Sequence, residues 1–388
     1  MTEKQSLELQ ANQIERSLAQ HKAPARVTGG LVFPHWIQFQ VPLTSRAQAS
    51  KIEGLAEELT TALDTGTCRI SRHRGMVIIK IPRLDPRPVQ LLPLQHGLVQ
   101  RSQVPPGTAV VGLSDDGAPL LVRLPSPHVA HLLIAGDSDR QALARTIVAS
   151  LALRHRRRQL GLVLIDPTRR AFGPLAGPPH LLRPVSSETR ETAQVLQALV
   201  RWTSARDNGH PKEPRIVVAI NGLADLLATP SIHGTTRWAL AQLLEHGREA
   251  GIHLIVCAQG PDGPEAKELA EANFPVRLVE QVTSPTEVGL VADDDETGAK
   301  RLRRPGGFVA VASGKSTPFQ AAHISSRELA KIVCQTLKAE NERQRSGTHA
   351  QITRATSKRS MSGRWQRARY VGRLYRMFFK VWWDKRKT

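Results

Sequence analysis

Hydrophobic and polar positions follow two alternating patterns over most of this chain. Residues 1–22 are polar with helical spacing and predict an N-terminal helix. Strict alternation in WIQFQV predicts a strand over Trp36–Val41. In TSRAQASKIEGLAEELTTALDTG, Ile52, Leu55, Leu59 and Leu63 recur on one helical face. Thr44 or Ser45 is placed to cap that helix, and Gly66 follows its end. TCRISRHRGMVIIKIP reads as a hairpin turning near His73-Arg74-Gly75. A proline-rich stretch, Pro82–Pro93, ends this first α/β unit.

A second unit opens near Val110 with AVVGLSDDGAPLLVRL, a hairpin whose turn is Asp116-Gly117. Apolar runs and helices then alternate. HLLIAG, 160–167, 214–220, 251–259, 276–282 and a closing run at 307–312 predict strands. Ala142–Arg156, Ser187–Ser204, Thr235–Ala250 and the short KELAEAN predict helices between them. Such alternation predicts an α/β fold with a mostly parallel sheet covered by helices. From about Ser325 a short helix leads into polar, basic, Ser/Thr-rich text that predicts a flexible linker. The expected division is 1–22 (helix), 23–100 (small α/β unit), 101–330 (larger α/β unit), 331–360 (basic linker) and 361–388 (amphipathic helix).

Charge changes the picture most. Lys and Arg number 54 against 34 Asp and Glu, a formal net charge of +20. Residues 341–388 hold 14 of those cations and only 2 of the acids. A balance this basic favours polyanionic partners. Cys68, Cys257 and Cys334 are scattered, with no CxxC pair. They predict neither a disulfide framework nor a zinc site, and fit a reducing cytoplasm. The polar N-terminus lacks a signal-peptide pattern, and no apolar run reaches the roughly 18 residues of a membrane span. His128 and His131 are three apart, but no third ligand lies nearby, so no metal is expected there.

The stretch HLLIAGDSDRQALARTIVASLALRH, residues 131–155, poses the chemical question. A strand, a turn at Gly136 and a helix make the junction at which a phosphate loop sits. GxxxxGK[ST] needs glycines so that backbone N–H groups curl around phosphate, a Lys for the outer phosphates and a Ser/Thr for Mg²⁺. Here only Gly136 stands, and Asp137, Ser138 or Asp139 reads as a helix N-cap. The one Gly-Lys-Ser, Gly314-Lys315-Ser316, is a decoy. The earlier glycine is missing at the required spacing, and strand-like text follows instead of a helix. It predicts a hairpin turn whose Lys315 is free to touch a phosphate backbone.

HLLIAG, LVLIDP, PPHLL, IVVAI with LADLL, REAGIHLIVCAQ and ANFPVRL occur in the order and spacing of the FtsK/SpoIIIE family of DNA translocases. The chain resembles that family over roughly residues 25–325, and the stretch from Leu43 with its hairpin resembles the family's smaller motor subdomain. The resemblance implies a RecA-like P-loop NTPase fold preceded by a small α/β subdomain. It also implies rings around double-stranded DNA, with ATP hydrolysis between neighbouring subunits. DNA and an oligomer, homo- or hetero-, are therefore the expected partners.

The family's chemistry is altered at three places. Aligned on ARTIVASL, the loop is two residues short: Arg140 takes the Lys position and Gln141 the Ser/Thr position. Asp137 and Asp139 put carboxylates where phosphate belongs. The family's Asp-Glu strand end, which serves Mg²⁺ and the attacking water, becomes Asn221-Gly222. Asp225 matches a later family Asp and is expected to order structure. The family's Thr-Gln-Arg-Pro becomes Ala258-Gln259-Gly260-Pro261, leaving Gln259 as the sensor candidate, and Gly289 stands where an Arg is expected. Arg248 remains as a candidate trans contact, against the reading of a solvated helix-end arginine.

Together these departures predict a degenerate nucleotide site and no cofactor, with ATP and Mg²⁺ relevant only if the atypical site is active. The expected role is a catalytically inactive, DNA-associated scaffold or regulatory subunit, with an active FtsK-like ATPase as a candidate partner. Two alternatives stay open: an active ATP-driven translocase with an atypical site, and a secretion-type FtsK-like module handling protein. In a helix from Met361, Trp365, Ala368, Val371, Tyr375, Phe378 and Trp382 share a face, with Arg364, Arg367, Arg373, Arg376 and Lys380 largely elsewhere. That aromatic, basic helix suits a protein groove, an anionic membrane surface, nucleic acid, or its own core.

Overall fold

A computed structural model describes residues 3–43, 45–73, 75–100, 104–115, 117–206, 214–230, 232–258, 274–280, 306–335 and 338. The chain divides into two compact units, Met1–Val89 and Gln90–Thr388.

The first unit runs α1 (Glu3–Gln20), β1 (Gly29–Val32), β2 (Trp36–Pro42), α2 (Arg46–Glu53), α3 (Ala56–Ala62), β3 (Arg69–His73) and β4 (Met76–Pro82). Its sheet is antiparallel in the order β1-β2-β4-β3. Strand alternation sends Ile37, Phe39 and Val41 of β2, and Val77, Ile79 and Ile81 of β4, into one core with Ile52 and Leu59. The N-terminal helix, expected as a segment apart, shares that core: Ile14 and Leu18 are fully buried. Val27 N–H donates to Glu15 Oε1 at 2.7 Å and ties the chain leaving α1 back to it. One helix was expected over 45–63; two form. Ser45 caps α2 by accepting from Gln48 N–H at 3.2 Å, and Gly54 ends it.

The units divide at Val89/Gln90, where a two-residue strand β5 (Val89–Gln90) lies, and not near residue 100. Past it, α4 (Leu91–Gln100) buries Leu91 and Gln95, and Gln95 Nε2 donates to Ser150 O at 3.4 Å. Pro93 disguises this helix in the sequence. It occupies the first turn, where a backbone N–H has no helical acceptor and none is lost.

The second unit continues with β6 (Thr108–Ser114), β7 (Pro119–Arg123), β8 (Leu132–Ala135), α5 (Arg140–Arg154), β9 (Leu160–Ile165), α6 (Thr189–Arg206), β10 (Arg215–Asn221), α7 (Leu223–Leu227), α8 (His233–His246), β11 (Ile252–Ala258), β12 (Val276–Glu280), β13 (Gly307–Ala312) and β14 (Lys315–His323). One sheet holds β7-β6-β14-β13-β12-β8-β11-β10-β9 in that order. Strands β9, β10, β11, β8 and β12 are mutually parallel, and each is an unbroken buried run or nearly so. The sheet does not close at 307–312. β13 turns antiparallel to β12 and is followed by β14, β6 and β7, all antiparallel. Ser313 and Gly314, both left-handed at φ 51° and 71°, make the two-residue turn from Ala312 to Lys315. The Gly-Lys-Ser decoy is that turn, and Lys315 is exposed at its exit.

Alternate residues along each parallel strand face opposite layers. Leu133, Val163, Val218 and Leu254 pack with Leu196 and Leu199 of α6, Leu226 of α7 and Leu240 and Leu243 of α8. α5 contacts β6, β8, β11 and β14 and buries Leu143, Ile147 and Leu151.

Candidate functional site

Parallel register brings three strand ends together. Ala135 at the end of β8 lies opposite Ala258 of β11 on one side and Val279 of β12 on the other. The chain then turns at Gly136, and Glu280 ends β12 beside that turn. Gly136 has φ +148°, and a Cβ there would overlap the Glu280 side chain.

The turn is organised around Glu280. Ser138 N–H donates to Glu280 Oε2 at 3.0 Å, and Asp139 N–H donates to Oε1 at 2.9 Å and Oε2 at 3.0 Å. These N–H groups precede the first turn of α5, where the helix dipole favours negative charge. Asp139 holds the N-cap position but makes no capping bond. Its Oδ2 accepts instead from Gly306 N–H at 2.7 Å. The expected N-cap thus falls on Asp139 without a side-chain capping bond, and the N–H groups just before the helix bond a carboxylate from another strand. Burial, together with the charges of Asp139 and Asp137, raises the Glu280 pKa above the usual carboxylate range, against the pull of the two N–H donors.

Arg140 begins α5, two residues earlier than expected, and is buried. Its Nη1 donates to Gly136 O at 2.7 Å and to Asp137 O. The guanidinium therefore braces the carbonyls of its own turn. Gln141 follows it, half-buried in the first helical turn, while Asp137 and Ser138 are exposed.

A second polar centre lies at the ends of β9 and β10. Asp166, fully buried, accepts from Ala171 N–H at 2.8 Å, Phe172 N–H at 3.0 Å, Thr168 Oγ1 at 2.9 Å and Asn221 Nδ2 at 2.8 Å. Burial alone would raise its pKa, but these four hydrogen bonds outweigh it and hold the carboxyl below its usual range. Asn221 Nδ2 also lies 2.9 Å from Thr168 Oγ1. Gly222 follows in the left-handed region at φ +81°. A Cβ there would come within 2.6 Å of Asp225 Oδ2, so Asp225 packs under the turn that opens α7. Arg145, on α5, lies within range of the Asp166 charge; burial lowers its pKa and Asp166 partly offsets this.

Residues 90–209 match the FtsK/SpoIIIE family, and residues 1–83 match the FtsK alpha domain. The chain belongs to the FtsK/SpoIIIE family. Relatives in that family include a DNA translocase FtsK of Sporosarcina ureae, 26% identical over 84% of this chain and 45% of its own length. The DNA translocase SpoIIIE of Bacillus subtilis (strain 168) is 25% identical over 85% of this chain and 46% of its own. The FtsK/SpoIIIE-family chain described here therefore spans about half the length of the curated relatives it matches. Two solved structures share its P-loop NTPase fold. The pCW3 conjugation coupling protein TcpA aligns with TM-score 0.55 at 17% identity, over 85% of this chain and 99% of that one. The cytoplasmic domain of the Thermomonospora curvata Type VII secretion ATPase EccC aligns with TM-score 0.54 at 20% identity, over 64% of this chain and 34% of that one.

Among the described residues of this FtsK/SpoIIIE fold, the groups at the loop that a nucleoside triphosphate with Mg²⁺ would use are already engaged. The N–H groups of Ser138 and Asp139 are taken, and the nearest guanidinium is spent on backbone carbonyls. The strand-end position offers an amide N–H₂ to Asp166 where a metal needs a carboxylate. Among the described residues no group of three or more His, Cys, Asp and Glu is placed to hold a metal ion. Burial pushes the Cys257 thiol up to about 12, so it is no nucleophile.

The remaining candidates are apart from this site. Arg248 follows α8, 3.4 Å from Glu249, with both side chains partly exposed. His131 is buried and accepts from Leu254 N–H, while His128 is exposed. Gln259, Gly260, Gly289 and the helical-face residues Arg364, Arg367, Arg373, Arg376 and Lys380 lie outside the described residues, as do KELAEAN and the expected linker from residue 339 on, whereas its first residues, 331–335, are helical. Among the described residues, no helix is long and apolar enough to cross a membrane.

Sequence reasoning missed Glu280, Arg145, Thr168 and the role of Asp166. The available signal for Glu280 was an acid at the end of an apolar strand, VRLVE, which reads equally well as a surface charge. For Asp166 it was a carboxyl ending the fully apolar run LGLVLI.

Proposed function

We propose that this chain is a non-hydrolysing member of the FtsK/SpoIIIE family that associates with double-stranded DNA as a scaffold or regulatory subunit. The observation that carries the reading is the Asn221–Asp166 bond. Phosphoryl transfer by this fold is positioning and charge stabilisation, and it needs a free carboxylate for Mg²⁺ beside the loop. Here the strand end is a neutral amide already bonded to Asp166. The loop's position for a phosphate-binding Lys is Arg140, turned onto its own carbonyls.

DNA as the partner is supported by the net charge of +20 and by relatives named as DNA translocases. Hydrolysis, where the assembly needs it, comes from an active FtsK-like ATPase in the same oligomer. The basic aromatic helix expected over 361–388 docks on a partner protein or an anionic membrane surface.

Mg-ATPase assays with and without duplex DNA test the central claim, with no turnover expected in either. Turnover abolished by Arg140→Ala would overturn it. Duplex affinity is expected to fall steeply with salt, by about 0.9 log units per log unit for each phosphate neutralised. Absence of duplex binding at low salt would remove the DNA role. Co-purification identifies the active ATPase, and deletion of 361–388, assayed on anionic liposomes and on duplex separately, sorts the tail.

A further inference from the structure

The carboxylate that fills the turn comes from 141 and 142 residues along the chain, so its presence there is a product of the tertiary fold. Glu280 is only 8% exposed. Two carboxylates, Asp137 and Asp139, already work against a third charge at this place. A buried carboxylate among like charges is costly unless donors hold it. The donors are the N–H groups of Ser138 and Asp139 and the start of α5. Those are the groups that a phosphate would use at a strand–turn–helix junction of this fold. The match is chemical as well as positional, since a carboxylate presents two anionic oxygens to two adjacent N–H groups.

We propose that Glu280 is an internal stopper: a tethered oxyanion that occupies the phosphate-facing N–H groups of the 136–139 turn and keeps phosphoryl ligands out. The tether gives it its advantage. β12 is held by β8 on one side and by β13 on the other, with Glu280 opposite Phe308. The carboxylate is thus supplied at a high effective concentration, with which a free anion must compete. Gly136 belongs to the same device, because any side chain there would collide with the stopper. Arg140 keeps the turn in the shape that the stopper needs by binding the carbonyls of Gly136 and Asp137. The stopper acts on binding and stands apart from hydrolysis, which the proposed function denies because of Asn221 and Asp166.

The test is calorimetric titration of the full chain with inorganic pyrophosphate, and separately with ATP, at low salt. The parent, Glu280→Ala, Glu280→Gln and the exposed-site control Glu57→Ala are compared. Glu57→Ala changes the net charge as Glu280→Ala does, but in the first unit. Glu280→Ala and Glu280→Gln are expected to bind one pyrophosphate per chain at least tenfold more tightly than the parent, and Glu57→Ala no more tightly. If Glu280→Ala fails to fold by circular dichroism, Glu280→Gln carries the test, since it keeps the side chain's volume. Folded Glu280 variants that bind no better than the parent, or a Glu57→Ala gain as large as theirs, overturn the stopper. Turnover by the parent would instead overturn the proposed function, so the two failures are told apart by their readouts. Gained binding without turnover is the result expected if both hold.

Discussion

Asn221 donates its side-chain amide to Asp166 Oδ1 at 2.8 Å, which ties the end of β10 to the end of β9 through a neutral group. Asp166 needs a donor there, because a second acid would repel its charge. It is fully buried, and every hydrogen bond recorded to it comes from a donor that carries no charge.

Asn221→Asp would restore an acid at the strand end and place two carboxylates at hydrogen-bond distance in a buried site. Both cannot ionise there, so one pKa rises strongly. The expected loss at pH 7 is about 2–4 kcal/mol by urea unfolding. A carboxyl whose folded pKa lies above its unfolded value regains stability as pH falls toward the unfolded value, so the loss shrinks by pH 5. A loss that is the same at both pH values would contradict this account. No ATPase is expected to appear with the substitution.

Gly136→Ala is expected to be far more harmful than Gly314→Ala, although both glycines have positive φ. At Gly314 nothing lies within 4 Å of an added Cβ, so only the left-handed backbone is penalised, by about 1–2 kcal/mol. At Gly136 the Cβ also collides with Glu280. Differential scanning calorimetry should rank the two clearly, and equal melting temperatures would mean that the turn is looser than this packing requires.

Arg140→Ala removes a buried donor from the carbonyls of Gly136 and Asp137. A stability loss of about 1–3 kcal/mol is expected, read as a shift in urea midpoint at constant m-value. ATP binding by the otherwise unaltered chain should not weaken, because the guanidinium serves the turn and the stopper rather than a phosphate. A selective loss of ATP binding with no loss of stability would give Arg140 the phosphate role that its sequence position suggested.

His131 and His253 make the fold acid-sensitive. Burial lowers the His131 pKa to about 3, with the nearby His253 adding to the effect, and lowers the His253 pKa to about 4. His253 Nδ1 is 2.9 Å from Ala130 O, and Leu254 N–H donates to His131 Nδ1 at 3.0 Å. Both rings are therefore neutral in the fold, while in the unfolded chain they protonate near pH 6.5. Their contribution is fully present above about 6.5, is lost progressively as pH falls, and levels off only near the folded values. Urea midpoints from pH 7.5 to 4.5 should decline, and His253→Gln should flatten the decline. An unchanged slope in that variant would place the acid sensitivity elsewhere.

The sequence by itself determined most strands, most helices and the family. Long buried runs such as LGLVLI and IHLIVCA, separated by helical text, can form little other than parallel strands under helices. It also determined which chemical groups are missing, because the absence of a loop Lys and of an acid at Asn221 is a property of residue types. Short-range signals were legible in part. The His73–Met76 hairpin and the Ser45 cap emerge as read, while Gly54 splits one expected helix and Pro93 hides another.

Only the tertiary structure decided what fills the gap. Periodicity cannot show that β14 pairs with β6, some 200 residues earlier, and so it could not show one sheet running from β7 to β9. Nor could it show that β12 lies beside β8 in a register that sets Glu280 against Gly136. Hydrogen bonds between strands are blind to sequence separation, and side-chain pattern fixes the face of a strand, not its neighbour. The empty-looking turn GDSDRQ is therefore closed by an acid that lies far away along the chain.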